Sequence, residues 1–169
     1  MRPQIHWIDL PMAGRLAIMA RPRAGDWLED EISGWRAQGI DVVISLLERE
    51  EVRDLELQRE ADLCHEQGME FLSFPIPDRG VPVSLRDTVI LARTVSARIG
   101  GGRAVAVHCR AGIGRSALIA ACALVCSGAD PAVAFEAIGR ARGVRVPDTE
   151  TQIDWVSAFR DSAIAACNE

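Results

Sequence analysis

The sequence predicts an α/β fold. We expect a single domain over residues 1–169, with a mostly parallel central sheet of about four to five strands flanked by helices on both faces. Two observations predict this class. Short apolar, β-branched runs alternate with longer segments of helical periodicity. The segment 115–127, which follows the last of these runs, is apolar nearly all round, as buried helices usually are.

The predicted strands are the short apolar runs. They are rich in Val, Ile, Leu and Ala, and they lie at residues 15–20, 41–47, 70–74 and 103–108. With 169 residues, of which 49% are hydrophobic, the chain is long enough to bury one substantial core. The N-terminal part, before about residue 40, is expected to add sheet and helix, and it contains no motif.

Capping residues and glycines mark the ends of the predicted helices. Asp26 and Glu29 have the spacing of a capping box, and Ser84 precedes a helical pattern that stops at three consecutive glycines. Asp130 followed by Pro131 suits an N-cap and the first helical position. The predicted helices cover residues 26–39, 55–67, 84–100, 115–127, 131 onward and 149–166.

The charge of the chain excludes some functions. A net charge of −5 argues against broad electrostatic binding to nucleic acid or to an anionic membrane. All 19 basic residues are arginine, and the chain has no tyrosine. The acidic excess is concentrated in residues 26–70, which we expect to lie away from the chemistry. Residues 101–150 are mildly cationic and are therefore the first place to look for a site.

Cysteine and histidine usage predicts a soluble, cytoplasmic protein with no metal and no cofactor. The five cysteines form no CxxC pair, and a domain of this size needs no disulfides, so we expect reduced thiols. The three histidines, at positions 6, 65 and 108, do not suggest a zinc site. The most apolar stretch, 116–125, is too short to span a bilayer. The sequence does not indicate the oligomeric state.

The segment 108–116, HCRAGIGRS, joins a predicted buried strand to a predicted buried helix. Its two glycines allow a tight turn that directs several backbone N–H groups into one anion-binding concavity, and the helix dipole adds positive potential. Arg115 can donate two parallel hydrogen bonds to a phosphate. This surrounding positive potential favours the thiolate of Cys109, a nucleophile directed at phosphorus. The candidate phosphate-binding residues are Arg110, Ala111, Gly112, Ile113, Gly114 and Arg115.

These residues resemble the His-Cys-x5-Arg-Ser/Thr signature of the cysteine-dependent protein tyrosine and dual-specificity phosphatases. The resemblance covers residues 40–159 and is closest to the dual-specificity and kinase-associated branch. It implies a two-step phosphomonoester hydrolase with a phosphocysteine intermediate on Cys109. The absence of tyrosine speaks against the tyrosine-only branch, whose deeper pocket uses an Asn-Arg-Tyr-type loop.

The resemblance also implies roles for supporting residues. Asp78, in the proline-flanked segment 74–82, matches the general acid, although Asp is also common in such turns. Ser116 would hydrogen-bond the departing thiolate, and His108 would orient the loop rather than transfer protons. Gln152 matches a glutamine that places the hydrolytic water, but Thr149 and Gln152 also have capping-box spacing, and both interpretations stand.

Two other predictions concern acidic and sulfur-containing residues. In relatives an acidic residue pairs with the arginine of the signature, and Glu51 is the candidate here. In a run as acidic as 48–51 we favour a solvated surface for it instead. Cys122 and Cys126 lie one helical turn apart, and packing explains both better than chemistry. Whether either of them, or Cys64, resolves an oxidised Cys109 is left open.

Alternative functions also fit parts of the pattern. A pseudophosphatase would bind phosphorylated partners without turnover, although no residue of the signature is missing. A hydrolase of a non-protein phosphate ester such as a phosphoinositide would use the same chemistry. A thiol-based sulfurtransferase or arsenate reductase would keep the loop but would not need the proline-flanked acid. The main hypothesis is a protein phosphatase whose partner is a phosphorylated protein or another phosphomonoester.

Overall fold

The computed structural model describes residues 2–167, with only the backbone of residues 166 and 167, and it contains one five-stranded sheet. The strands are β1 (His6–Trp7), β2 (Arg15–Met19), β3 (Val42–Ser45), β4 (Glu70–Ser73) and β5 (Ala104–His108). Their order is β1-β2-β5-β3-β4. Only β1 pairs antiparallel, with β2, and the other neighbouring strands are parallel. The predicted fold class is confirmed.

In the described part of the chain, seven helices connect and cover these strands. They are α1 (Leu28–Ala37), α2 (Arg49–Asp54), α3 (Glu60–Glu66), α4 (Leu85–Gly100), α5 (Gly114–Cys126), α6 (Pro131–Arg142) and α7 (Glu150–Cys167). A 3-10 turn at Gly25–Trp27 precedes α1. Within residues 2–167, no helix is both long and apolar enough to cross a membrane.

The side-chain alternation of the strands divides the core into two layers. In β5, Val105 and Val107 face the layer built with α4 to α7, whereas Ala106 faces the layer built with α1 and α3. The helix α5 lies in the centre of the first layer, and its residues from Gly114 to Val125 are all buried. Both faces of the sheet are therefore covered, as the sequence predicts.

Two of the predicted helix starts are confirmed by their caps. The Ser84 hydroxyl accepts a hydrogen bond from the Asp87 backbone N–H, and the Asp130 carboxylate accepts one from the Ala132 backbone N–H. Pro131 occupies the first turn of α6.

The prediction of one helix over 55–67 is wrong at its start, because α3 covers only residues 60–66 and residues 55–59 form a turn that links α2 to α3. Between them Glu56 adopts a positive φ of 56°, and the Leu57 backbone N–H donates to the Val52 carbonyl. This turn buries Leu57, which is only 1% exposed, in the α1/α3 layer. The prediction of a capping box at Asp26 and Glu29 is also wrong, because α1 starts after the 3-10 turn with no side-chain cap. At residues 55–59 the burial of Leu57, a tertiary contact, overrides the local helical pattern.

Candidate active site

The segment that joins β5 to α5, residues 109–115, is called the cysteine loop below. It lies at the carboxyl end of the central strand β5, where ligands bind in open parallel sheets. Gly112 has a φ of +70°, and a Cβ there would lie 2.5 Å from the backbone of Met19 at the end of β2. Only glycine fits this backbone conformation and this close approach. The loop is therefore held tightly against the neighbouring strand.

Neighbouring arginines bind the carbonyl groups of the cysteine loop. Arg142, near the end of α6, donates from Nε to the Gly112 carbonyl at 3.1 Å and from Nη2 to the Ala111 carbonyl at 3.3 Å. The Arg21 backbone N–H donates to the Arg110 carbonyl at 3.2 Å. The C=O and N–H of a trans peptide point in opposite directions. These contacts therefore direct the loop's N–H groups toward the concavity.

Cys109 is a buried free thiol at the base of this loop. The Arg115 guanidinium, from the first turn of α5, interacts electrostatically with it. Burial of Arg115 disfavours its charge, but the Glu51 hydrogen bonds and the negative groups of Cys109, Glu51 and Asp78 outweigh that effect and raise the pKa of Arg115. The guanidinium is thus a fixed positive charge beside the sulfur.

Glu51 is the main partner of Arg115, and the favoured prediction of a solvated Glu51 is wrong. Its carboxylate accepts from Nη1 at 2.7 Å and from Nη2 at 3.0 Å, a bidentate pair. The two side chains are only 2% (Arg115) and 10% (Glu51) exposed. Arg110 also lies 3.4 Å from this carboxylate. Glu51 forms a capping box with Glu48, which fixes its position at the start of α2.

Asp78 lies on the segment 75–82, called the acid loop below, and it reaches the same guanidinium. Its Oδ1 is 3.1 Å from Arg115 Nη2, and Arg115 Nη1 donates to the Ile76 carbonyl at 3.0 Å. The Asp78 side chain is 57% exposed, so one carboxylate oxygen can face a ligand in solvent. The structure therefore brings the predicted acid and the predicted phosphate-binding arginine together.

Gln152 is both a capping residue and a contact of the acid loop. Thr149 and Gln152 exchange hydrogen bonds, each backbone N–H donating to the other's side chain. The Gln152 amide Nε2 also donates to the Gly80 carbonyl at 3.0 Å. The side chain is fully buried. Gln152 thus connects α7 to the loop that contains Asp78, and its predicted role in placing water stays a prediction.

Two more predicted residues lie beneath the loop. The His108 ring Nδ1 lies 3.2 Å from the Cys109 carbonyl oxygen, a contact that suits its predicted orienting role. The Ser116 hydroxyl is buried and, within the described residues, has no hydrogen-bond partner. Its predicted hydrogen bond to the thiolate is therefore not formed in this structure and stays a prediction for a later step of the reaction.

Sequence reasoning missed Glu60 and Arg142. Glu60, on α3, lies 2.5 Å from His108 Nε2 and is only 2% exposed. No motif marks either residue. The expectation that the acidic excess of 26–70 lies away from the chemistry is also wrong, because Glu51 and Glu60 both belong to that segment.

Two other cysteines lie in the core: Cys122 is buried in the first layer, and Cys64 is buried in the other layer. Cys126 is partly buried and packs against the first layer. Burial and the nearby Glu60 charge raise the pKa of the Cys64 thiol to about 12. Within residues 2–167, no group of three or more His, Cys, Asp or Glu side chains is arranged to hold a metal ion. The side chain of Cys167 lies outside the described residues.

Comparison with known proteins places this site in a family. A family model described as "Polymorphic toxin system, DSP-PTPase phosphatase" matches residues 17–129, which include the acid loop and the cysteine loop. The chain belongs to this phosphatase family. The match extends over two thirds of the chain and confirms the resemblance seen in the cysteine-loop motif.

Two curated proteins are similar to this chain over about three quarters of its length. Cyclin-dependent kinase inhibitor 3 of Sus scrofa is 29% identical over 129 residues, which cover 75% of this chain and 60% of that protein. The protein of the same name from Rattus norvegicus is 27% identical over 132 residues and is covered to 62%. The chain thus spans about three fifths of the length of these curated relatives.

Solved phosphatase structures share the fold. The crystal structure of kinase associated phosphatase, with its catalytic-site cysteine replaced by serine, superposes with a TM-score of 0.88 at 22% identity and covers 98% of both chains. Tk-PTP in its active form superposes with a TM-score of 0.76 at 28% identity, covering 95% of this chain and 99% of that one. The α/β architecture is therefore that of the dual-specificity phosphatases.

Proposed function

We propose that this chain is a phosphomonoester hydrolase, a protein phosphatase of tyrosine or dual specificity, that acts through a phosphocysteine on Cys109. The observation that best supports the proposal is the arrangement around Arg115. One buried guanidinium is paired with Glu51, contacts Asp78 and lies beside the Cys109 thiol. A nucleophile, an anion-binding donor and an acid therefore converge at the mouth of one glycine loop.

In the first step the Cys109 thiolate attacks phosphorus. The new S–P bond forms as the P–O bond to the leaving group breaks, and Asp78 gives its proton to the departing oxygen. The loop N–H groups and Arg115 bind the equatorial phosphoryl oxygens, where negative charge is concentrated in the transition state. The buried Glu51 pair holds the guanidinium so that it is in place before the substrate arrives.

In the second step water cleaves the phosphocysteine. Asp78, now a carboxylate, accepts a proton from the water as its oxygen attacks phosphorus, and the S–P bond breaks to return the Cys109 thiolate. The unpartnered Ser116 hydroxyl is available to donate to that thiolate. Gln152, which already binds the acid loop, would place the water. No step requires a metal or cofactor, and the cytoplasm keeps such a thiolate reduced.

The decisive test is hydrolysis of p-nitrophenyl phosphate in the presence of EDTA. We expect Cys109→Ser to be inactive and Asp78→Asn to lose about 100-fold or more in kcat, the usual contribution of a positioned acid. Cys64→Ala, a buried cysteine in the opposite layer, and Asp62→Asn, an exposed aspartate, are the matched controls. Full activity of Cys109→Ser would refute the mechanism.

The same proteins distinguish the alternatives. A phosphopeptide that binds the wild-type chain but is never hydrolysed would establish a pseudophosphatase. Turnover of thiosulfate or arsenate without phosphatase activity would establish sulfur-transfer or arsenate chemistry. A panel of phosphopeptides and phosphoinositides, compared by kcat/KM, identifies the substrate class, for which we propose a phosphorylated protein.

A further inference from the structure

Glu60 is a buried carboxyl group that the proposed reaction does not use. It lies in the first turn of α3, 48 residues before His108 in the chain, and its Oε1 is 2.5 Å from the His108 ring Nε2. The two side chains are 2% and 0% exposed. His108 points to this side because residues alternate along β5, which places it on the same face as Ala106, toward α3. A carboxylate buried this deeply needs a partner, and the ring supplies it.

The contacts of the ring determine where its protons are. A carbonyl oxygen can only accept, so the Nδ1 contact with the Cys109 carbonyl requires a proton on Nδ1. The second nitrogen faces Glu60, and a carboxylate there is satisfied only if Nε2 also donates. With Glu60 ionised, both nitrogens therefore have a proton and the ring is an imidazolium.

The surroundings of His108 agree with this charge state. Burial lowers the pKa of His108 and so does the charge of Arg115, but the charge and hydrogen bond of Glu60 and the Cys109 carbonyl outweigh them and raise it. From α1, the Trp35 ring packs with its centroid 6.0 Å from that of His108. The residues that face the ring from each neighbouring element are Glu60 (α3), Arg115 (α5), Trp35 (α1), Met19 (β2) and Ser45 (β3).

We propose that Glu60 is a positioning residue that keeps His108 doubly protonated, so that His108 holds the Cys109 carbonyl and fixes the start of the cysteine loop. The inference rests on the proposed function. In this proposal the Glu60 carboxylate on α3 acts on the Cys109 nucleophile indirectly, through the His108 ring and the Cys109 carbonyl. Neither Glu60 nor His108 touches the phosphate in this scheme.

The first experiment measures the charge of His108 without reference to activity. The chain has three histidines, so the ring signals of His108 can be assigned in NMR spectra by His6→Gln and His65→Gln. We expect Glu60→Gln to move the His108 titration to lower pH, because the neutral amide no longer stabilises the imidazolium. An unchanged titration of His108 in folded Glu60→Gln would overturn the proposal.

The second experiment separates positioning from mere structural support. At neutral pH we expect Glu60→Gln to lower kcat about tenfold, as loss of an orienting partner does in comparable sites, with KM changed less than about twofold. The loss should shrink as the pH falls, because acid restores the proton on His108. A loss of kcat that is constant across pH would indicate a structural role and would count against the proposal.

Two further variants complete the design. Glu66→Gln changes an exposed glutamate on the same helix and should leave the His108 titration and kcat unchanged. Glu60→Asp retains the charge on a side chain one methylene shorter, so it should keep part of the activity and move the His108 titration to lower pH by less than Glu60→Gln does. If Glu60→Gln fails to fold, this smaller shift is the result to be measured, and an unchanged titration would then overturn the proposal. If the wild-type chain hydrolyses no phosphate ester, the proposed function fails by itself, and the NMR titration alone decides the role of Glu60.

Discussion

Replacing Glu51 by Gln tests whether the buried pair with Arg115 stabilises the fold. Both carboxylate oxygens accept from donors: Oε2 from Arg115 Nη1 and the Glu48 backbone N–H, and Oε1 from Arg115 Nη2. A glutamine amide has one oxygen and one NH2 group, so in either orientation a donor meets a donor. The substitution therefore removes the negative charge and breaks at least one of these hydrogen bonds.

The expected cost follows from the burial of the pair. Breaking a buried ion pair by changing one partner costs about 3–5 kcal/mol. Arg115 keeps its contacts with Asp78 and the Ile76 carbonyl, so we expect the lower end, about 3 kcal/mol. For a domain of this size that corresponds to a fall in Tm of about 6–12 °C. Circular dichroism of thermal unfolding at neutral pH measures it.

The difference in Tm between wild type and Glu51→Gln should change with pH in a definite direction. Burial by itself would raise the pKa of Glu51, but the hydrogen bonds from Arg115 and the Glu48 N–H, with the charges of Arg115 and Arg110, outweigh it and lower the pKa. A carboxyl group with a lowered folded-state pKa stabilises the fold above its unfolded-state pKa, and this contribution is lost as pH falls through the folded value. The gap in Tm between wild type and Glu51→Gln should therefore narrow in acid.

The control for this experiment is Glu50→Gln, which changes the exposed neighbour in the same helix. We expect its Tm to lie within about 2 °C of wild type, because exposed charges contribute little. A Tm of Glu51→Gln within this same margin at neutral pH, or a gap that does not change with pH, would refute the reasoning from the buried pair.

Three further predictions concern the cysteine loop and the core. Gly112→Ala should lower the free energy of unfolding in urea by at least about 1–3 kcal/mol, because residue 112 has a φ of +70° and its Cβ would meet the β2 backbone. The control is Gly100→Ala, which should not lower this free energy, because a Cβ there meets nothing within 4 Å. Arg142→Met removes two donors from the loop carbonyls and should lower the rate of p-nitrophenyl phosphate hydrolysis, whereas Arg140→Met, an exposed change on the same helix, should not. A raised pKa of about 12 should protect Cys64 from iodoacetamide at pH 8 until the chain unfolds, as read by mass spectrometry of the peptide that contains Cys64; rapid alkylation of Cys64 in the folded chain would contradict this.

Local signals explain why the sheet and the motif were predictable. The strands are apolar runs whose type is set by their own residues, and Ser84 and Asp130 cap helices through hydrogen bonds that span only a few residues. The segment 108–116 contains Cys109, both glycines and Arg115 within nine consecutive residues. Motifs of this kind can be read from the sequence because the interacting groups are neighbours in the chain.

The wrong predictions concern residues whose partners lie far away in the chain. The predicted helix over 55–67 looked continuous, but burial of Leu57 in the α1/α3 layer outweighs the local helical preference of residues 55–59, which form a turn. The helix α3 therefore starts only at Glu60, the residue that meets His108. Glu51 sits in an acidic run that looks solvated, because its compensating charge on Arg115 is 64 residues away.

By itself the sequence determined the α/β class, the buried central strand and helix, and the loop that places Cys109 and Arg115 together, since all of these depend on short-range periodicity and turn chemistry. Only the tertiary structure decided which charges surround that loop. The pairs Glu51–Arg115, Asp78–Arg115 and Glu60–His108 join residues 64, 37 and 48 positions apart. Partners so far apart in the chain meet only when the fold brings their elements together, so no local sequence pattern predicts these pairs.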